Sequence, residues 1–176
     1  MKIARPSLWA LLAFVLWVGC VPTRSVWRSE PETRKTENEY FGASLSAYCE
    51  KTGCPGFILS LENKSRHDIE VDWGKSVYLK NGVANGGFQF EGIILKDRKS
   101  HNPVETVVAY GLLTNKIVPE MLTSKKTVPE LLMQPSNAPQ PYMEPGEHGI
   151  RLVVRADGKE ISENLVINIL RMEVPE

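Results

Sequence analysis

Three cysteines, three histidines and one run of alternating carboxylates are the residues of this 176-residue chain whose types and spacing could do chemistry. Cys49 and Cys54 lie close together in CEKTGC, while Cys20 stands alone at the end of an apolar run. A redox pair is usually spaced C-x-x-C, and a zinc centre needs further Cys or His ligands near the pair. CEKTGC has neither, which leaves a local disulfide, a staple ahead of the first strand, as the expected state of Cys49 and Cys54 in an oxidising compartment. His67, His101 and His148 each fall in or beside a turn signal, where histidines are expected to be solvated. The chain contains no H-E-x-x-H, G-x-S-x-G, phosphate-loop or dinucleotide-binding glycine pattern. The zinc-hydrolase, serine-nucleophile and nucleotide mechanisms therefore lack their local signatures. Asp68, Glu70 and Asp72 in DIEVD share one face of a strand. Such carboxylates can hold a cation or serve acid–base catalysis. Their expected role is a solvated strand face, with Lys64, Arg66 and Lys75 nearby to neutralise it.

Cys20 takes its meaning from the residues before it. Leu8 to Val18 is an eleven-residue apolar run preceded by Lys2 and Arg5. A bilayer core needs roughly 20 apolar helical residues, whereas a secretory signal core needs about 7–15, so the length points to export. Trp17-Val18-Gly19 supplies a small residue at only one of the two sites that ordinary signal peptidase reads. The segment instead resembles the lipobox of bacterial lipoproteins, carried by Leu16, Val18, Gly19 and Cys20, with Trp17 standing at the position where leucine is usual. The resemblance implies a signal peptide over 1–19, acylation of Cys20 as the first residue of the mature chain, and attachment to a membrane by those acyl chains. Val21, in place of the aspartate that retains lipoproteins on the inner membrane, implies the outer membrane, facing either the periplasm or the cell surface. With Cys20 lipidated, the remaining cysteines form an even set, consistent with a Cys49–Cys54 bridge.

The full chain carries 21 basic and 21 acidic residues, and loss of Lys2 and Arg5 would leave two more acids than bases. Nucleic-acid binding needs a concentrated basic patch, and the cations here are interspersed with acids. Residues 20–40, rich in Thr, Arg, Ser, Glu and Lys, read as a lipidated flexible tether, and 41–176 as one domain.

Within that domain the dominant period is two, which marks strands with one buried face. Phe57, Leu59 and Leu61 face one way in GFILSLEN, and Ile69, Val71 and Trp73 do so in HDIEVDWG. NKSRH between them reads as a hairpin turn. SVYLK precedes a glycine-rich turn at NGVANGG, and Phe88, Phe90 and Ile93–Leu95 read as the next strand. GIRLVVRADGKEISENLVINILRME reads as a hairpin turning at Asp157-Gly158, with Ile150, Leu152 and Val154 facing Leu165, Ile167 and Ile169. Val166 and Leu170 occupy the other face of that last strand and need either a cover or a contact. Several short strands with no sustained helical period predict an all-β, antiparallel immunoglobulin-like or transthyretin-like sandwich of about seven strands.

Between 117 and 149 the alternation fails and prolines interrupt the chain. VPEML at 118 and VPELL at 128 each suit a short helical turn entered through proline. Met121, Leu122, Leu131, Leu132 and Met133 either pack on the sheet or form a partner-binding surface. The expected function is that of a non-catalytic envelope lipoprotein, a binding or assembly module without a cofactor, in the manner of the small lipoproteins of secretion and pilus machines. A small periplasmic hydrolase or metal-binding enzyme using scattered His and carboxylates is the second expectation.

Overall fold

The computed structural model describes residues 22–90, 104–123 and 142–175. Among them are twelve strands: β1 (Thr23–Glu30), β2 (Thr33–Glu37), β3 (Phe41–Glu50), β4 (Gly53–Asn63), β5 (Ile69–Asp72), β6 (Val77–Lys80), β7 (Val83–Ala84), β8 (Phe88–Phe90), β9 (Val104–Val107), β10 (Leu112–Pro119), β11 (Gly146–Ala156) and β12 (Lys159–Pro175). A 3₁₀ turn, Glu120–Thr123, follows β10 directly behind Pro119, as the VPEML pattern predicts.

The strands form two sheets whose pairings are all antiparallel. One runs β1-β12-β11-β5-β9, with β6 also pairing β11 and β7 pairing β6; the other runs β2-β3-β4-β10-β8. The two pack face to face as a sandwich, the architecture that the period of two predicts. The β11–β12 hairpin turns at Asp157-Gly158, both with positive φ (49° and 73°), the geometry that an Asp-Gly pair adopts at low cost. Its inward residues Ile150, Leu152, Val154, Leu165, Ile167 and Ile169 meet Phe41, Leu45, Phe57, Leu59, Leu61 and Ile117 of the other sheet, all essentially inaccessible to water. Each such side chain contributes about 1.5–3 kcal/mol relative to leaving it exposed. One end of the core is aromatic: Trp73 packs edge-on to Phe90 at 4.8 Å between ring centres, and Phe88 lies against Phe57, Tyr78 and Trp73.

Three expectations need correction. The runs 57–61 and 69–73 do not pair. β4 lies between β3 and β10, while β5 belongs to the opposite sheet, so residues 64–68 arch from one layer to the other. NKSRH has no glycine to build the tight two-residue turn of a hairpin, and the Asn63 side chain instead secures the arch. Its amide donates to the carbonyls of His67 (2.9 Å), Val107 (3.0 Å) and Val108 (3.0 Å), and its oxygen accepts from the Ser65 N–H. With only 1% of its surface exposed, Asn63 is a buried clamp despite its glycosylation-like sequence Asn-Lys-Ser.

The second correction concerns 20–40. Residues 23–30 and 33–37, which read as part of a tether, are the edge strands β1 and β2. β12 runs past the end of β11, and its last residues take β1 as their partner. The strand count rises accordingly, with the short β7 and β8 adding to it.

The third concerns Cys49 and Cys54, which are bridged (S–S 2.07 Å) across the closing turn of the β3–β4 hairpin rather than ahead of the first strand. At the start of the 117–149 interval, β10 continues to Pro119, and at its end β11 already begins at Gly146. The strand expected at Ile93–Leu95 lies outside the described residues.

Candidate functional site

β6 and β11 run side by side, and the register that sets His148 opposite Lys80 also sets Ile150 opposite Tyr78. Tyr78 and His148 therefore project inward from neighbouring positions on the same face. Their rings stack at 5.9 Å with 17° between planes, and both are 98% or more buried. Tyr78 Oη lies 2.5 Å from His148 Nδ1, and His148 Nε2 lies 2.7 Å from the Glu144 carbonyl. A carbonyl only accepts, so Nε2–H donates to Glu144, and Nδ1 accepts the tyrosine proton. Burial pushes the His148 imidazole below its ordinary value, opposed by the hydrogen bond to Glu144 and reinforced by the Lys80 charge. Burial also pushes the Tyr78 hydroxyl up, as does the negative charge of Glu144. The pair thus stays neutral, a buried polar contact with every hydrogen bond made.

Beside it opens a cleft of about 130 Å³ bounded by Met121, Leu122, Tyr142, Met143 and the Lys80–Glu144 ion pair (2.8 Å). Lys80, by its hydrogen bond and then its charge, holds the Glu144 carboxyl below the usual carboxylate range. Met121 and Leu122 are half-buried against the core here. Leu131, Leu132 and Met133, the other members of the candidate partner surface, lie outside the described residues. So does Cys20, the candidate lipid attachment point.

The DIEVD carboxylates do not gather around a cation site. Asp72, with 8% of its side chain exposed, accepts from Arg155 Nη2 at 2.5 Å, and Glu70 Oε2 lies 3.8 Å from Nη1 of the same arginine. Asp68 accepts from the Ala109 N–H at 2.9 Å. The neutralising cation is thus Arg155 of β11, which lies opposite Glu70 in the ladder, rather than the sequence neighbours Lys64, Arg66 and Lys75. Lys64 pairs with Glu37, and the Lys75 side chain with Glu160. His67, exposed as expected, meets Asp157 at 2.8 Å. His148 is the exception to the solvated-histidine expectation. Among the described residues no three His, Cys, Asp or Glu side chains come together as a metal site, and His101 lies outside them.

Glu105 is a polar centre that sequence reasoning missed. On edge strand β9 it accepts from Trp73 Nε1 (3.0 Å) and Asn115 Nδ2 (2.7 Å), tying one sheet to the other. A glutamate facing inward from an edge strand also discourages pairing with a foreign strand. A wider groove of about 630 Å³ opens where β1 and β2 splay apart, with Trp27, Glu30, Glu32, Ser46 and Cys49 among its lining.

No protein-family model and no curated protein matches this chain. Among solved structures it is similar to a protein from Archaeoglobus fulgidus, at 10% identity over 88% of this chain and 95% of that one, with a TM-score of 0.26. That likeness is too slight to bear on fold or function.

Proposed function

We propose that this chain is a non-catalytic, membrane-anchored β-sandwich of the bacterial envelope, a binding or assembly module held on the outer membrane by acyl chains on Cys20. The observation that carries this reading is the position of β1. Its first residue, Thr23, follows Cys20 by three positions, so the attachment point leads straight into an edge strand of the sandwich. Three residues span at most about 11 Å. The domain consequently sits against the bilayer, and its partners are envelope proteins reached from that surface. The polar clusters of the sandwich, Tyr78–His148, Arg155 with Glu70 and Asp72, and Glu105 with Trp73 and Asn115, are occupied with one another and read as structural. Metabolic labelling with a fatty-acid analogue tests the anchor: label on the wild-type chain and none on Cys20→Ser is the expected result. Label retained by Cys20→Ser, or absent from wild type, overturns it.

A further inference from the structure

The last strand overruns the sandwich. β11 pairs with β12 only as far as Gly146, opposite Ile169; from Leu170 to Pro175 the partner is β1 alone. Six residue pairs extend as a two-stranded ribbon about 20 Å long. Alternation fixes its faces. Ile167 and Ile169 are buried in the core, so Leu170, Met172 and Val174 lie on the opposite side, each half-buried, and β1 sets Arg28, Val26 and Arg24 directly across from them. Arg24 and Arg28 are exposed. The acid of the ribbon, Glu173, is on the other face, where Arg171 also lies 5.8 Å from the Trp27 ring. Within these six pairs one face is therefore apolar and cationic, although the solvent side of an antiparallel sheet is ordinarily polar; the exposed Glu30 follows Arg28 on that face only where β11 rejoins the sheet, opposite Asn168.

Resting on the anchor reading above, we infer that this face of the β1–β12 ribbon lies on an anionic lipid surface. Arg24 and Arg28 meet headgroup phosphates, and Val26, Leu170, Met172 and Val174 rest at the interface. Two observations select lipid over a protein partner. The chain upstream of the ribbon leads within three residues to Cys20, and the face offers positive charge flanking a short apolar stripe, the complement of an anionic bilayer surface. This accounts for Leu170, Met172 and Val174, the apolar residues that β12 carries on its outer side beyond the end of β11.

Every described strand lies between Thr23 and Pro175, so the chain from residue 20 onward with Cys20→Ser retains the whole sandwich and isolates the ribbon from the acyl chains. It is expected to co-sediment with phosphatidylglycerol–phosphatidylethanolamine vesicles and not with phosphatidylcholine vesicles, and to be released by salt. Arg24→Gln and Arg28→Gln, both at exposed positions that spare the fold, are each expected to lower the partition coefficient about fivefold. Met172→Asp, with its fold checked by circular dichroism, is expected to abolish binding. Equal partition into both vesicle types, unchanged partition of the double arginine variant, or a soluble dimer that Met172→Asp dissolves would overturn the inference. Acyl labelling of the full chain in cells separates the two claims: labelled Cys20 with no vesicle preference retires the ribbon and leaves the anchor.

Discussion

Replacing Asn63 dismantles a buried clamp on the crossing between the two sheets. Its amide holds three carbonyl oxygens, His67, Val107 and Val108, and its oxygen holds the Ser65 backbone and hydroxyl. Asn63→Ala leaves the buried Val107 carbonyl without that donor and loosens both the arch and the turn after β9. A buried group left unsatisfied costs about 1–3 kcal/mol, and the further lost hydrogen bonds about 1 kcal/mol together, for a total near 3 kcal/mol. For a domain of this size each kcal/mol moves the Tm by about 2–4 °C, so the expected fall is about 6–12 °C in thermal unfolding followed by circular dichroism. Asn63→Asp is the sharper probe, because a carboxylate there faces three carbonyl oxygens. Its folded-state pKa is raised above the ordinary aspartate value, so its penalty grows as pH rises through the carboxylate range and is larger at pH 7 than at pH 4. A fall of under about 2 °C for Asn63→Ala, or a pH-independent penalty for Asn63→Asp, would refute the clamp.

The His148 imidazole, depressed by burial, stays neutral in the fold but takes up a proton when the chain unfolds below the ordinary histidine value. Stability is accordingly full above about pH 6.5 and declines as pH falls from there through the folded-state value, and His148→Phe is expected to flatten that part of the profile in urea titrations. The same variant loses about 1–3 kcal/mol at pH 7 by stranding the Tyr78 hydroxyl. Removing the bridge with a Cys49→Ala/Cys54→Ala double variant frees a loop so short that the expected loss is only about 2 kcal/mol, measured by urea unfolding against the oxidised protein. Gly149→Ala would set a Cβ 2.2 Å from the Leu165 carbonyl oxygen, and the strain on the β11–β12 pairing is expected to cost about 1–3 kcal/mol of unfolding free energy.

The sandwich was legible because its inner strands alternate cleanly and burial enforces the alternation. Ile150 to Val154 and Leu165 to Ile169 could face only one way, and Asp157-Gly158 fixed the turn between them. The arch at 64–68 was not legible, since a polar stretch between two amphipathic strands has the same pattern whether it turns within a sheet or crosses to the next. β1 and β2 escaped notice because edge strands with little buried surface carry no alternation of their own, and their partners are remote in sequence. His148 had a usable signal: it continues the inward series of Ile150, Leu152 and Val154 by one step of two, but Gly146 and Gly149 beside it suggested a turn. Arg155 as the partner of Asp72 and Glu70 depends on β5 pairing with β11, a contact between segments more than eighty residues apart.

Trypsin would release the start of the acylated chain as the peptide Cys20-Val21-Pro22-Thr23-Arg24. Mass spectrometry of that peptide, from protein extracted from membranes in detergent, tests the anchor claim most directly. The expected result is a chain that begins at Cys20 and carries a lipid mass on that residue, with no peptide spanning Gly19 and Cys20. An unmodified Cys20, or one still joined to Gly19, would contradict it.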